Sequence, residues 1–157
     1  MIPQAWADSL IKMEKKLTGN PGISMPIPGG YADFEAESLN GRERFIFSIE
    51  RGLIRLSKYS QQERYAESIP LLRLCVDFKE HTNPENYIPL DSLLAPFSGM
   101  NMGKTHLHVY REEVGTRFAI PVPSGDFLNL SNLSMTTFNF LKYCNVIGIG
   151  SIQSGLV

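Results

Sequence analysis

The stretch Thr105-His106-Leu107-His108-Val109-Tyr110-Arg111-Glu112 holds two of the three histidines in the 157-residue chain. Apolar and polar residues alternate along it, which is typical of a β-strand with one buried face. Because successive side chains of a strand point to opposite faces, we expect His106, His108 and Tyr110 to share the polar face. The stretch therefore predicts a strand that presents two imidazoles on one surface.

A second predicted strand, over residues 71–79, carries further polar side chains. Its apolar residues alternate with Arg73, Cys75 and Asp77, which gives these three side chains a common face. If the extended conformation continues past residue 79, His81 joins the same face. The two strands then bring all three histidines of the chain together beside Arg73, provided that they are neighbours in one antiparallel sheet.

The rest of the chain predicts an α+β fold: a bent antiparallel sheet of about six strands, with N- and C-terminal helices packed on one face. Apolar residues recur at helical spacing near both ends, and Asn40-Gly41 is a strong signal for a two-residue hairpin turn. The polar residues 61–68 and the Pro- and Gly-rich residues 85–104 predict loops. The predicted strands cover residues 31–38, 44–50, 53–59, 71–79, 105–112 and 117–122, and the predicted helices cover residues 3–18 and 132–144.

Length and composition bound the class of protein. A chain of 157 residues with 43% hydrophobic residues suits a single domain, 1–157. No apolar run is long enough to span a bilayer, and the lysines of the first segment follow its apolar residues, unlike a secretory signal. Cys75 and Cys144 lie in apolar surroundings, so we expect buried, reduced thiols and a cytoplasmic protein without membrane contact.

The histidines and nearby cations predict phosphodiester chemistry. Imidazole exchanges protons near neutral pH, and a guanidinium can hold a phosphate through two parallel hydrogen bonds. The leading hypothesis is a small histidine-dependent nuclease or phosphodiesterase acting on RNA or a nucleotide. His81 and His108 would act as acid and base, and His106 would orient them. The predicted substrate-binding residues are Arg73, Arg55, Lys104, Asn83 and Tyr110.

A metal site is an alternative interpretation of the same motif. H-x-H on a strand can offer two imidazoles to one ion, with Glu112, Glu113 or His81 completing the ligand set. The pattern resembles the metal motif of cupin barrels, in which a later histidine follows, but none follows His108 here. We therefore expect no cofactor, and a metal remains the less favoured alternative.

Two resemblances accompany these patterns. His106 to Tyr110, preceded by Asn101 and Gly103, resembles the core of the histidine-triad nucleotide hydrolases, which implies a nucleophilic His108 and Tyr110 in place of the third histidine. The order of His81-Thr82-Asn83-Pro84 and the later histidine strand resembles a family of small uncharacterised bacterial proteins. That second resemblance implies a bacterial or phage cytosolic protein, and it implies no activity.

A non-enzymatic binding protein is the competing hypothesis, and the sequence does not decide whether the protein is an enzyme. An immunity protein, an antitoxin or an anti-defence inhibitor would bind a protein partner through the sheet or the 85–104 loop. The formal net charge of −1 favours this class, because proteins that bind nucleic acid usually carry a basic surface. The sequence leaves the oligomeric state open.

Overall fold

The computed structural model describes residues 1–19 and 22–153. The predicted domain 1–157 thus includes six residues that lie outside the described part. The elements in chain order are α1 (Gln4–Lys12), β1 (Lys15–Leu17), β2 (Ile23–Ser24), β3 (Tyr31–Ser38), β4 (Arg44–Arg51), β5 (Tyr59–Tyr65), β6 (Ile69–Val76), a 3₁₀ turn (Ala95–Phe97), β7 (His106–Arg111), β8 (Gly115–Ile120), α2 (Leu133–Tyr143), β9 (Val146–Ile147) and β10 (Ile152–Gln153).

The main sheet confirms the α+β class but has eight strands instead of about six. Its order is β8-β7-β6-β5-β4-β3-β1-β9, and every pairing is antiparallel except that of β1 with β9. β8 forms one end of the sheet, as its two flanking prolines predict. A separate parallel pair joins β2 to β10.

The first helix ends six residues earlier than predicted because the chain turns into β1. Lys15 is fully buried, and its ammonium donates to the carbonyl oxygens of Ile11 (3.0 Å), Met13 (2.9 Å) and Cys144 (2.7 Å). These carbonyls belong to the C-terminal ends of α1 and α2, where the helix dipole favours a cation. One buried lysine therefore caps two helices at once.

The strand after the β4 hairpin lies later in the chain than predicted. Leu53 and Ile54 were assigned to a strand, but they are 71% and 93% exposed and lie in the loop before β5. β5 itself falls on the polar residues 59–65, where no hydrophobic alternation marks it. Its buried polar groups have partners across the core: Tyr59 Oη bonds to Thr136 Oγ1 (3.0 Å) and Gln61 Nε2 to Thr137 Oγ1 (2.8 Å) of α2.

The core combines both helices with the sheet. Leu10 of α1 and Phe140 of α2 belong to the same apolar cluster as Leu74 and Leu107 of the central strands. The N-cap of α2 is Asn132, whose side chain accepts from the Met135 amide at 2.9 Å. Both cysteines are buried and unpaired, as the sequence predicts. Among residues 1–19 and 22–153 there is no helix whose length and hydrophobicity would let it traverse a bilayer.

Candidate functional site

The sheet face opposite Leu74 and Leu107 carries two rows of mostly polar side chains. The register pairs Cys75 of β6 with His106 of β7, and Arg73 with His108. Because paired residues point to the same face, these four side chains lie together. Both rows continue across β5, β4 and β3. The row that contains Cys75 and His106 continues through Ser60, Glu50 and Tyr31, and the row that contains Arg73 and His108 continues through Gln62, Ser48 and Asp33.

His81 reaches this face from an irregular arm and not from an extension of β6. Asp77 adopts a positive φ of 52°, which ends the strand. The following residues pair with the segment before β7: the His81 amide donates to Gly103 O (3.2 Å), and the Met102 amide donates to His81 O (2.7 Å). The predicted extended route is therefore wrong, but the arm delivers the side chain to the same place.

The three imidazoles form one cluster, which we call the histidine cluster (His81, His106 and His108). Ring centroids lie 5.4 Å apart for His81 and His106, 4.6 Å for His81 and His108, and 4.7 Å for His106 and His108. His106 Nε2 is 3.1 Å from His108 Nε2. His106 is buried, whereas the other two rings are half-buried, so solvent reaches the cluster on one side.

The hydrogen bonds of the cluster fix which ring nitrogen carries the proton. His106 Nδ1 lies 2.9 Å from Gly103 O, and His108 Nδ1 lies 2.8 Å from Thr116 O. A carbonyl oxygen only accepts, so both nitrogens must be N–H donors. When the two rings are neutral, each therefore presents the lone pair of Nε2, and the two lone pairs face each other.

His81 has the opposite tautomer. Its Nε2 lies 2.8 Å from Arg117 O and 3.2 Å from Asn83 Oδ1, and both oxygens are acceptors. The orientation of the Asn83 amide is set by the Ala119 backbone, because Oδ1 accepts from the Ala119 amide (2.7 Å) and Nδ2 donates to Ala119 O (2.8 Å). The unprotonated Nδ1 of His81 has no hydrogen-bond partner in the described part of the chain.

Burial keeps the paired histidines neutral. It is the main cause that lowers the pKa of His108 to about 4, and the charges of His106 and His81 lower it further. Burial likewise lowers the pKa of His106. Burial raises the pKa of the neighbouring Cys75 thiol. At pH 7 both rings are therefore neutral, and the lone pairs of their Nε2 atoms can bind a metal ion or accept a hydrogen bond from a substrate hydroxyl.

Arg73 places a positive charge beside the histidine cluster, and this charge contributes to the lowered pKa values of His106 and His108. Arg73 makes no ion pair within the described residues, and its guanidinium lies 5.3 Å from the centre of the Phe78 ring. It also lines a cavity of about 240 Å³. The other lining residues are Tyr31, Ser48, Glu50, Ser60 and Gln62. From Arg73 the cavity extends along the polar rows to Tyr31, which is 59% exposed.

Two predicted phosphate contacts surround Asp77. Arg55 forms an ion pair with the Asp77 carboxylate, to which Ser57 also donates a hydrogen bond. These two hydrogen bonds are the main causes that lower the pKa of Asp77, and the charge of Lys104 contributes as well. The structure gives Arg55 and Lys104 no contact with the histidine cluster among the described residues, so they stand apart from it.

Two further predicted substrate contacts have their polar atoms occupied by the protein. Asn83 is 2% exposed and uses its whole amide to join His81, Phe97 and Ala119, so we reassign it from substrate binding to positioning His81. Tyr110 belongs to the apolar core, and its hydroxyl donates to Ile2 O at 2.7 Å. The register shift beside Tyr110 interrupts the alternation of β7, which corrects the face predicted for this residue.

Cys75 is the member of the site that sequence reasoning did not select. Its thiol and the ring nitrogens of His106 and His108 offer three ligand atoms within 4.8 Å of one another. Alternation had already placed Cys75 on the same face as Arg73, but the apolar neighbours suggested only a buried thiol. The missing signal was the register, which aligns Cys75 with His106.

A larger cavity, of about 560 Å³, lies away from these residues. It is lined by residues of β3, β4 and the end of β5, among them Arg42, Glu43, Arg44 and Tyr65. Its charges are of both signs, and no histidine or cysteine lines it. The smaller cavity is the better candidate, because Arg73, which lines it, is paired with His108 across β6 and β7 and so lies beside the histidine cluster.

Together these features define an α+β protein whose open, mostly antiparallel sheet carries a polar face with clustered histidines. The chain belongs to a family of unknown function (DUF6978), whose model matches residues 2–146. The match extends from α1 to the first residue of β9, and it confirms the predicted kinship with a family that has no assigned activity. Neither a curated protein nor a solved structure matches the chain.

Proposed function

We propose that the protein cleaves a phosphodiester of RNA or a nucleotide at the histidine cluster. The observation that carries this proposal is the convergence of three imidazoles beside Arg73, with ring centroids 4.6 to 5.4 Å apart. Two groups that exchange protons and one fixed cation are the minimum that general acid–base cleavage of a phosphodiester requires.

The hydrogen bonds suggest a division of roles. The free Nδ1 of His81 and the Nε2 of His108 are the two positions that can accept or return a proton. His106 is buried and packs against His108 edge to face, with ring centroids 4.7 Å apart, so it would keep the His108 ring in position. Arg73 would bind the phosphate, because its guanidinium makes no ion pair within residues 1–19 and 22–153 and a charge-assisted hydrogen bond to phosphate is strong.

The cavity beside Arg73 supports a nucleotide as the substrate. Its walls offer the hydroxyl of Ser60, the amide of Gln62 and the carboxylate of Glu50, whereas the Ser48 hydroxyl is already bonded within the protein. The exposed Tyr31 at its far end is a ring on which a base can stack. Two buried cysteines without a disulfide support a reducing compartment, and the resemblance to small bacterial proteins leads us to propose the cytoplasm of a bacterium or of a phage-infected cell.

Arg73→Gln is expected to lower kcat/KM for phosphodiester cleavage roughly 10- to 100-fold, because it removes one charge-assisted contact. The measurement is cleavage of fluorescent RNA and of cyclic and linear dinucleotides by the purified protein. Arg44→Gln is the matched control, since Arg44 is an exposed arginine on another part of the sheet. A wild-type protein that cleaves none of these substrates would remove the proposal.

A second candidate is a protein-binding role, favoured by two apolar loops. Ile54 is 93% exposed, and Leu90 and Leu93 are 99% and 78% exposed. Large apolar side chains at loop tips are typical of contact residues in protein interfaces. If the protein is an immunity protein, an antitoxin or an anti-defence inhibitor, the double variant Ile54→Ser/Leu90→Ser should lose the cellular effect. If the protein is an enzyme, substitution of the histidines should abolish the cellular effect instead.

A further inference from the structure

We infer that Cys75, His106 and His108 form a binding site for one Zn²⁺ ion. The first argument is the opposed lone pairs: both rings hold their Nδ1 proton against a backbone carbonyl, which leaves the two Nε2 atoms 3.1 Å apart without a proton between them. A cation that both nitrogens can bind removes this repulsion. The carbonyl contacts are also the usual outer-shell support of metal-binding imidazoles.

The second argument is the third donor. Cys75 Sγ and the two imidazoles lie within 4.8 Å of one another, on adjacent strands whose register pairs Cys75 with His106. Cys75 and His106 are both 2% exposed, so strands β6 and β7 hold two of the three donors in a packed environment. Such fixed donors lose little side-chain entropy when an ion binds.

The donor set selects the ion. One thiolate with two imidazoles suits Zn²⁺, which favours sulfur and nitrogen in a tetrahedral arrangement. Two nitrogens at about 2.1 Å from a tetrahedral ion lie about 3.4 Å apart, so the rings need to separate by only a few tenths of an ångström. As the Zn–S bond forms, the Cys75 thiol releases its proton to solvent. Three protein ligands leave a fourth position for water, as in catalytic zinc sites.

This inference goes beyond the proposed reaction and does not depend on it. A bound ion would occupy His108 Nε2 and take over the activation of water or the polarisation of a phosphate oxygen. His81 is not one of the three donors, so it would remain a proton-transfer group with or without the ion. Metal binding and phosphodiester cleavage can therefore fail separately.

Titration of the reduced, EDTA-treated full chain with Co²⁺ tests the site, because Co²⁺ reports its ligands in its absorption spectrum. We expect one equivalent to bind with a thiolate-to-cobalt charge-transfer band in the near ultraviolet and tetrahedral d–d bands in the visible. One equivalent of Zn²⁺ should abolish both. A wild-type protein without the charge-transfer band overturns the inference, whether it binds no cobalt or binds it through nitrogen alone.

Matched variants assign the ligands. Cys75→Ala should lose the charge-transfer band, whereas Cys144→Ala should keep it, because Cys144 is the other buried thiol and lies outside the donor set. His81→Gln should bind cobalt as the wild type does. A band that persists in Cys75→Ala, or that disappears in Cys144→Ala while circular dichroism stays native, overturns the assignment.

Discussion

His81→Gln is expected to reduce phosphodiester cleavage roughly 10²- to 10⁴-fold, the usual contribution of a positioned proton-transfer group. Glutamine keeps an N–H donor for Arg117 O, which His81 Nε2 approaches at 2.8 Å, so the arm should stay in place. What the variant loses is the unprotonated ring nitrogen. The measurement is single-turnover cleavage of the best RNA or nucleotide substrate.

Lys79→Gln is the control for that experiment, because Lys79 is exposed and lies two residues earlier on the same arm. We expect its cleavage rate to equal that of the wild type. Lys79→Gln should unfold in urea within about 0.5 kcal/mol of the wild type, as surface substitutions usually do, and a native circular dichroism spectrum checks the fold of the half-buried His81→Gln. Unchanged cleavage by His81→Gln would remove His81 from the mechanism.

Lys15→Met is expected to lower the free energy of unfolding by about 3–5 kcal/mol, the usual cost of removing one partner of a buried ion pair. Lys15 Nζ is 3.2 Å from Glu63 Oε1, and both side chains are fully buried. The substitution leaves the carbonyls of Ile11, Met13 and Cys144 without their donor. Urea denaturation followed by circular dichroism measures the loss.

Lys15 and Glu63 should not contribute equally to the free energy of unfolding. The three N–H groups of Lys15 are used by backbone carbonyls, so the Glu63 carboxylate interacts with the ammonium mainly by charge, and the Cys144 thiol is its other polar neighbour. Burial raises the pKa of Glu63 to about 7 despite the nearby Lys15 charge. We therefore expect Glu63→Gln to cost less stability than Lys15→Met.

Lys16→Met is the matched control for the buried lysine. The Lys16 side chain is 50% exposed and lies 3.7 Å from Glu37, and a surface pair of this kind contributes at most about 1 kcal/mol. Equal losses in Lys15→Met and Lys16→Met would contradict the capping role of Lys15. A larger loss in Glu63→Gln than in Lys15→Met would contradict the predicted asymmetry.

Local pattern was sufficient for the elements with one apolar face. The β3–β4 hairpin follows from Asn40-Gly41, and α2 (Leu133–Tyr143) lies within the helix predicted over residues 132–144. The strand corresponding to β5 was predicted too early in the chain because the buried side chains of β5 are polar. These side chains contact α2 and Lys15, which are distant in sequence, so a short stretch of sequence does not reveal them. β1 was not predicted because Lys15 is buried where it caps two helices, whereas a lysine in a sequence usually indicates an exposed position.

The site could be predicted only in part, for a related reason. Alternation placed His106 and His108 together, since two residues of one strand need no tertiary information. His81 converges on them by way of a positive φ at Asp77 and the Asn83 amide network, which hydrophobic periodicity does not encode. The roles of Asn83 and Cys75 depend on strand register, and register is a property of the whole sheet.

The central claim is that the three imidazoles form one preorganised cluster, and long-range ¹H–¹⁵N correlation spectra of the EDTA-treated protein test it most directly. We predict the Nδ1–H tautomer for His106 and His108 and the Nε2–H tautomer for His81. Because the pKa of His108 is lowered to about 4, its ring should stay neutral until the pH falls to about that value. Three rings that average both tautomers, with His106 and His108 protonating near pH 6.5, the ordinary pKa of histidine, would contradict the account.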